Sequence, residues 1–95
     1  MAIVVGLCTL ELSIPEANSL KDKRSVLKSM LEGLRGRFNI SAAEVEQQDI
    51  WRRATVALAC VSGSQKFADQ VLQGALRWVE SNPRVVLMDV QIEFI

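Results

Sequence analysis

The sequence predicts an α+β fold, with elements in the order β-α-β-β-α-β, on three observations. Two segments carry apolar residues at helical spacing, and each is preceded by a serine that can cap it. Four further segments read as strands, the first of them, Ile3 to Ile14, rich in Val, Ile, Leu and Thr and ended by Pro15. No linker or low-complexity stretch interrupts the 95 residues, so residues 1–95 are expected to form a single domain around one core.

Ile3 to Ile14 is the first strand and ends at Pro15. Its first half is apolar on both alternating sets, as a central strand covered on both sides requires. From Leu20 to Phe38 the period becomes helical. Leu20, Leu27, Met30, Leu31, Leu34 and Phe38 share one arc, with Val26 at its border. Gly33 and Gly36 in this helix imply weak or closely packed final turns. Asn39 to Glu46 follows as a short strand, Gln47-Gln48-Asp49 as a tight connection, and Ile50–Ser62 as a long strand with Ala54, Val56, Leu58 and Cys60 on one face. Ser64 caps a second helix, which buries Phe67, Ala68, Val71, Leu72, Ala75 and Val79 and stops at Asn82-Pro83. Val85 to Ile95 is the last strand, with Val86, Met88, Val90, Ile92 and Phe94 alternating against Leu87, Asp89, Gln91 and Glu93. Two interleaved right-handed β-α-β crossovers turn this order into a ferredoxin-like sandwich. It has a four-stranded antiparallel sheet of order 4-1-3-2 and both helices on one face. The other face is then left with Ile3, Val5, Leu7, Ala57, Ala59 and Leu87, which points to a homo-oligomer, a dimer formed through the sheet.

Composition narrows the chemistry. Eleven cations balance eleven acids, so no whole-molecule field steers the chain to nucleic acid or to acidic membranes. The balance is local, however: residues 21–37 hold six cations against Asp22 and Glu32. Histidine is absent, which removes Ser-His-Asp and Cys-His catalysis and imidazole metal sites. Cys8 and Cys60 lie in apolar runs without a CxxC spacing and read as small buried hydrophobes. Met1-Ala2 leads straight into the first strand with no signal-peptide pattern, and no apolar stretch reaches membrane-span length. A cytoplasmic protein with reduced thiols, no membrane association and no cofactor is expected.

The most informative segment is Ser19-Leu20-Lys21-Asp22-Lys23-Arg24. Ser19 suits the N-cap, and Asp22 the reciprocal place of a capping box. Lys21, Lys23 and Arg24 gain nothing at the positive end of a helix dipole, so they require solvent, a neighbouring acid or an anionic partner. The topology puts this segment opposite the Glu46–Asp49 turn, with Trp51, Arg52, Arg53 and Arg84 nearby. Two readings follow. In one, the hairpin acids neutralise the cations and Trp51 packs at the base. In the other, Lys21, Asp22, Lys23, Arg24, Asp49, Trp51, Arg52 and Arg53 form a binding surface. Lys21, Arg24, Lys28 and Arg35 also form a stripe that could follow a phosphate backbone, although a solvated helix face is the plainer account.

Ser19–Arg24, Arg37-Phe38-Asn39-Ile40-Ser41, Ala43-Glu44-Val45 and Gln48–Ala54 together resemble the YlxP-like family of small bacterial proteins, a domain-of-unknown-function family, over essentially the whole chain. The resemblance implies a ferredoxin-like fold, a bacterial cytoplasmic protein and no assigned enzyme activity. It also implies a hint of ribosome association, because members are often encoded beside translation genes. Members commonly carry Asp-His where this chain has Glu46-Gln47, so a histidine-dependent role cannot operate here. The expected function is thus a non-enzymatic accessory factor binding RNA or a ribosomal particle through the basic start of helix 1, with Trp51 able to stack. The alternatives are a homo-oligomeric interaction module on the sheet face, and a carboxylate enzyme on Glu46 and Asp49.

Overall fold

A computed structural model describes all 95 residues. The elements are β1 (Val4–Ser13), α1 (Leu20–Arg37), β2 (Ser41–Glu46), β3 (Arg53–Ser62), α2 (Gln65–Glu80) and β4 (Val86–Phe94). The strands form one antiparallel sheet of order β2-β3-β1-β4, which is 4-1-3-2 read from the other edge. Even-numbered residues of β1 and β3 face the helices: Cys8, Leu10, Leu12, Ala54, Val56, Leu58 and Cys60 are all buried. They join Val26, Leu27, Met30 and Leu34 of α1 and Ala68, Leu72, Ala75, Leu76 and Val79 of α2 in one apolar core. Each fully buried Leu or Val there contributes roughly 1.5–3 kcal/mol of transfer free energy.

Both helix starts are capped as their sequences predict. Ser19 Oγ accepts from Asp22 N–H at 3.0 Å, and Ser64 Oγ accepts from Phe67 N–H at 3.1 Å. The Asp22 carboxylate reaches one residue further back than a capping box, accepting from Asn18 N–H at 3.0 Å. Gly33 is explained by packing: a β-carbon there would lie 2.3 Å from Trp78 Cη2. Trp78 is half-buried and stacks under the Arg37 guanidinium at 5.2 Å, which makes it a packing residue.

Four expectations need correction. β2 begins at Ser41 and β3 at Arg53, so Ile50, Trp51 and Arg52 belong to the connecting turn and are exposed. Phe67 is exposed (59%) and Leu76 is buried, because the buried arc of α2 centres between Leu72 and Val79 and leaves Phe67 outside it. The phase of β4 changes within the strand. Leu12 pairs with Leu87 and Glu11 with Asp89, so Met88 is an extra, bulged residue. Leu87 therefore turns towards the core, while Val86 and Met88 are exposed, and the open sheet face loses a leucine. Lastly, Lys23 is fully buried and shares the sheet-facing side of α1 with Val26, Leu27, Met30 and Leu34.

Candidate functional site

Lys23 organises one end of the molecule. Its position on α1 falls in the middle of the arc defined by Leu27, Met30 and Leu34, so helical geometry aims its side chain at the sheet. There the ammonium meets Glu44 Oε2 at 2.9 Å and donates to the Gln47 carbonyl. This is the only ion pair in the chain closer than 4 Å. Glu44 reaches it because β2 alternates, placing Ala42 and Glu44 on the helix side. Glu44 Oε2 has no hydrogen-bond partner besides this ammonium. The acid that neutralises a cation of the Ser19–Arg24 segment is thus Glu44; Glu46 and Asp49, expected in that role, are exposed and unpaired.

Gln47 joins the two faces of the sheet. Its backbone adopts φ 62°, a left-handed conformation uncommon for a residue with a side chain. Its carbonyl serves Lys23 on the helix side and also accepts from Ile50 N–H at 3.1 Å, closing the turn. Its side-chain amide crosses to the open face and donates to Glu11 Oε2 and Thr55 Oγ1, each at 2.9 Å. Thr55 in turn donates to the Glu11 carboxylate and is buried under this cover. The hairpin is held from both sides of the sheet.

Arg52 fastens the hairpin to the β1–α1 loop. Its Nε donates to the Ala17 carbonyl at 2.9 Å, and its own carbonyl accepts from Ile14 N–H at 3.0 Å. The start of α1, the hairpin and the β1–α1 loop therefore meet at one end, as the topology required. Arg84 reaches the same region, lining a cleft of about 220 Å³ with Glu16, Asp22 and Ser25. Of the residues read as a binding surface, Lys21, Asp22, Arg24, Asp49, Trp51 and Arg52 are exposed here. Lys23 is withdrawn into the interior. Arg53 is exposed too, but it pairs with Ser13 and sits on the open sheet face, away from the helix flank. Trp51 is half exposed (51%) and stays outside the core, where packing at the base of the hairpin was expected.

The basic stripe on α1 gains a location. Arg35 Nη2 donates to the Ala42 carbonyl on the unpaired edge of β2. Lys21, Arg24 and Lys28 lie on that same flank of the helix and are exposed. Glu44, which sequence reasoning left outside the site, and Gln47, expected only as part of the Glu46–Asp49 turn, are its structural centre. A helical wheel that kept Lys23 in the arc of Leu27, Met30 and Leu34 would have shown it turning inward, and the β2 register then decides which acid it meets.

Catalytic groups are sparse. No three Asp, Glu or Cys side chains come close enough together to hold a metal ion. Burial pushes the Cys8 thiol up to about 11, and raises that of Cys60 as well, so neither is a thiolate near neutral pH. No helix is long and apolar enough to cross a membrane.

Residues 5–92 match the family model described as "Protein of unknown function (DUF503)". The chain is also similar to the "Uncharacterized protein YlxP" of Bacillus subtilis (strain 168). The two are 37% identical over 82 residues, covering 86% of this chain and 89% of that relative.

Proposed function

The chain belongs to the DUF503 family of unknown function, and from that premise we propose a cytoplasmic, non-enzymatic accessory factor that binds RNA or a ribonucleoprotein through the α1–hairpin end. One observation carries this reading: every exposed cation at this end lacks an acidic partner within 4 Å, since the only ion pair is the internal Lys23–Glu44. Lys21, Arg24 and Lys28 are free to meet phosphates, and Lys23 is the internal post that supports them. The test is a salt titration of RNA and ribosomal-particle binding with wild type and Lys21→Ala/Arg24→Ala. Saturable binding at low salt is expected, with log affinity falling linearly in log salt. Removing two cations should flatten the slope by about 1.4 for an unpaired strand. Absence of saturable binding at low salt removes the reading.

A second reading has its own support. The open sheet face holds an apolar hollow of about 230 Å³ lined by Leu7, Ala43, Ala57 and Ala59, and Ile3 and Val61 stand exposed on the same chain. Self-association through this face would place an exposed aliphatic side chain of one copy in the hollow of another.

A further inference from the structure

Resting on the RNA-binding reading, we infer that the ligand is an unpaired RNA strand, lying along the cationic flank of α1 above the free edge of β2, with one base stacked on Trp51. The track is fixed at both ends. Arg35, bonded to the Ala42 carbonyl, marks where the flank overhangs the β2 edge. At the other end Lys23 grips Gln47 and Arg52 grips Ala17, so Lys21 ends the row beside the hairpin that presents Trp51. Lys21, Arg24, Lys28 and Arg35 span 14 residues of helix, about 21 Å, which suits a few nucleotides of extended backbone.

Trp51 decides between paired and unpaired RNA. Half of its surface is exposed, and Ile50 beside it is 48% exposed, although nothing in the core requires either to be apolar. An indole face takes up a base only when that base has left its own stack, and a duplex offers none except at its ends. The hairpin below Trp51 is already ordered: the turn is closed by Ile50 N–H on Gln47, and Gln47 is bonded on both sides of the sheet. Stacking therefore meets a platform that needs little further ordering. Electrostatics alone would be weak here. The molecule carries no net charge, exposed Glu32 stands beside Lys28 and Arg35 on α1, and exposed Asp49 lies in the turn that presents Trp51. A rigid duplex would bring its phosphates against these acids as well as the cations, whereas a flexible strand can follow the cations only.

The test compares a 12-nucleotide unstructured RNA with the blunt 12-base-pair duplex of the same sequence, using the full chain and fluorescence anisotropy. The unpaired strand should bind at least roughly tenfold tighter. Trp51→Ala should weaken it by roughly five- to hundredfold and leave duplex binding unchanged, while Trp51→Phe retains most of the affinity. Lys28→Ala should weaken both RNAs modestly. Equal or tighter duplex binding, or single-strand binding that is lost in Lys21→Ala/Arg24→Ala but indifferent to Trp51→Ala, overturns the inference and leaves the RNA reading standing. No binding of either RNA overturns both. Because Trp51 lies outside the core, its variants should keep the wild-type unfolding midpoint, which separates a lost platform from a lost fold.

Discussion

A β-carbon built on Gly33 falls 2.3 Å from Trp78 Cη2 and 2.7 Å from Cζ2, while one built on Gly36 meets nothing within 4 Å. The two glycines stand three residues apart on the same helix, and both carry the same intrinsic penalty. Gly33 allows the Trp78 ring to lie against the backbone of α1; Gly36 serves no contact. Gly33→Ala should therefore destabilise the protein by about 1–3 kcal/mol through overpacking. Gly36→Ala should stabilise it by up to about 1 kcal/mol. Urea unfolding midpoints of the two variants check this, and a common sign for both would contradict it. Lys23 teaches a related lesson. Its type argues for the surface and its helical position for the core, and position prevails because an acid and a carbonyl wait there.

At the scale of elements, the β2–β3 hairpin depends on contacts from α1 and β1 rather than on its own turn chemistry. The ladder between β2 and β3 is short and shifts register between Glu44 and Glu46. Lys23→Met should cost about 3 kcal/mol, since it strands the Glu44 carboxylate, whose side chain is only 17% exposed. Lys23→Met/Glu44→Leu should recover most of that loss. The double variant buries no lone charge, and the Gln47 carbonyl keeps Ile50 N–H as a donor. A double-mutant cycle by chemical denaturation measures the coupling; strictly additive losses would show that the pair does not act as a unit. The hairpin's acids were legible in the sequence as possible partners for the cations. The choice of Glu44 over Glu46 and Asp49 was not, because the Val45 irregularity resets which side of the sheet each residue faces.

For the whole molecule, the open sheet face sets how the protein meets a second copy. Leu7, Ala43, Ala57, Ala59, Ile3 and Val61 supply the patch, and three of these six are alanines. The alanines offer little apolar surface to bury, and a standard interface needs about 800 Å² per partner. Self-association should accordingly be weak, showing in sedimentation equilibrium only at about 100 µM or above, and Leu7→Lys should abolish it. A wild type that stays monomeric at millimolar concentration ends that reading. The sequence by itself determined the element order, the 4-1-3-2 sheet, the Ser19 and Ser64 caps and the buried faces of β1 and β3, because these follow from short-range periodicity and chain connectivity. Only the tertiary structure decided that Lys23 is a buried post, that Gln47 ties the two sheet faces together, that Met88 reverses the phase of β4 and that Trp51 stands free. Each of these turns on which groups distant segments bring within bonding distance, and a buried charge, a left-handed residue or a bulge is tolerated only where such partners offset its cost.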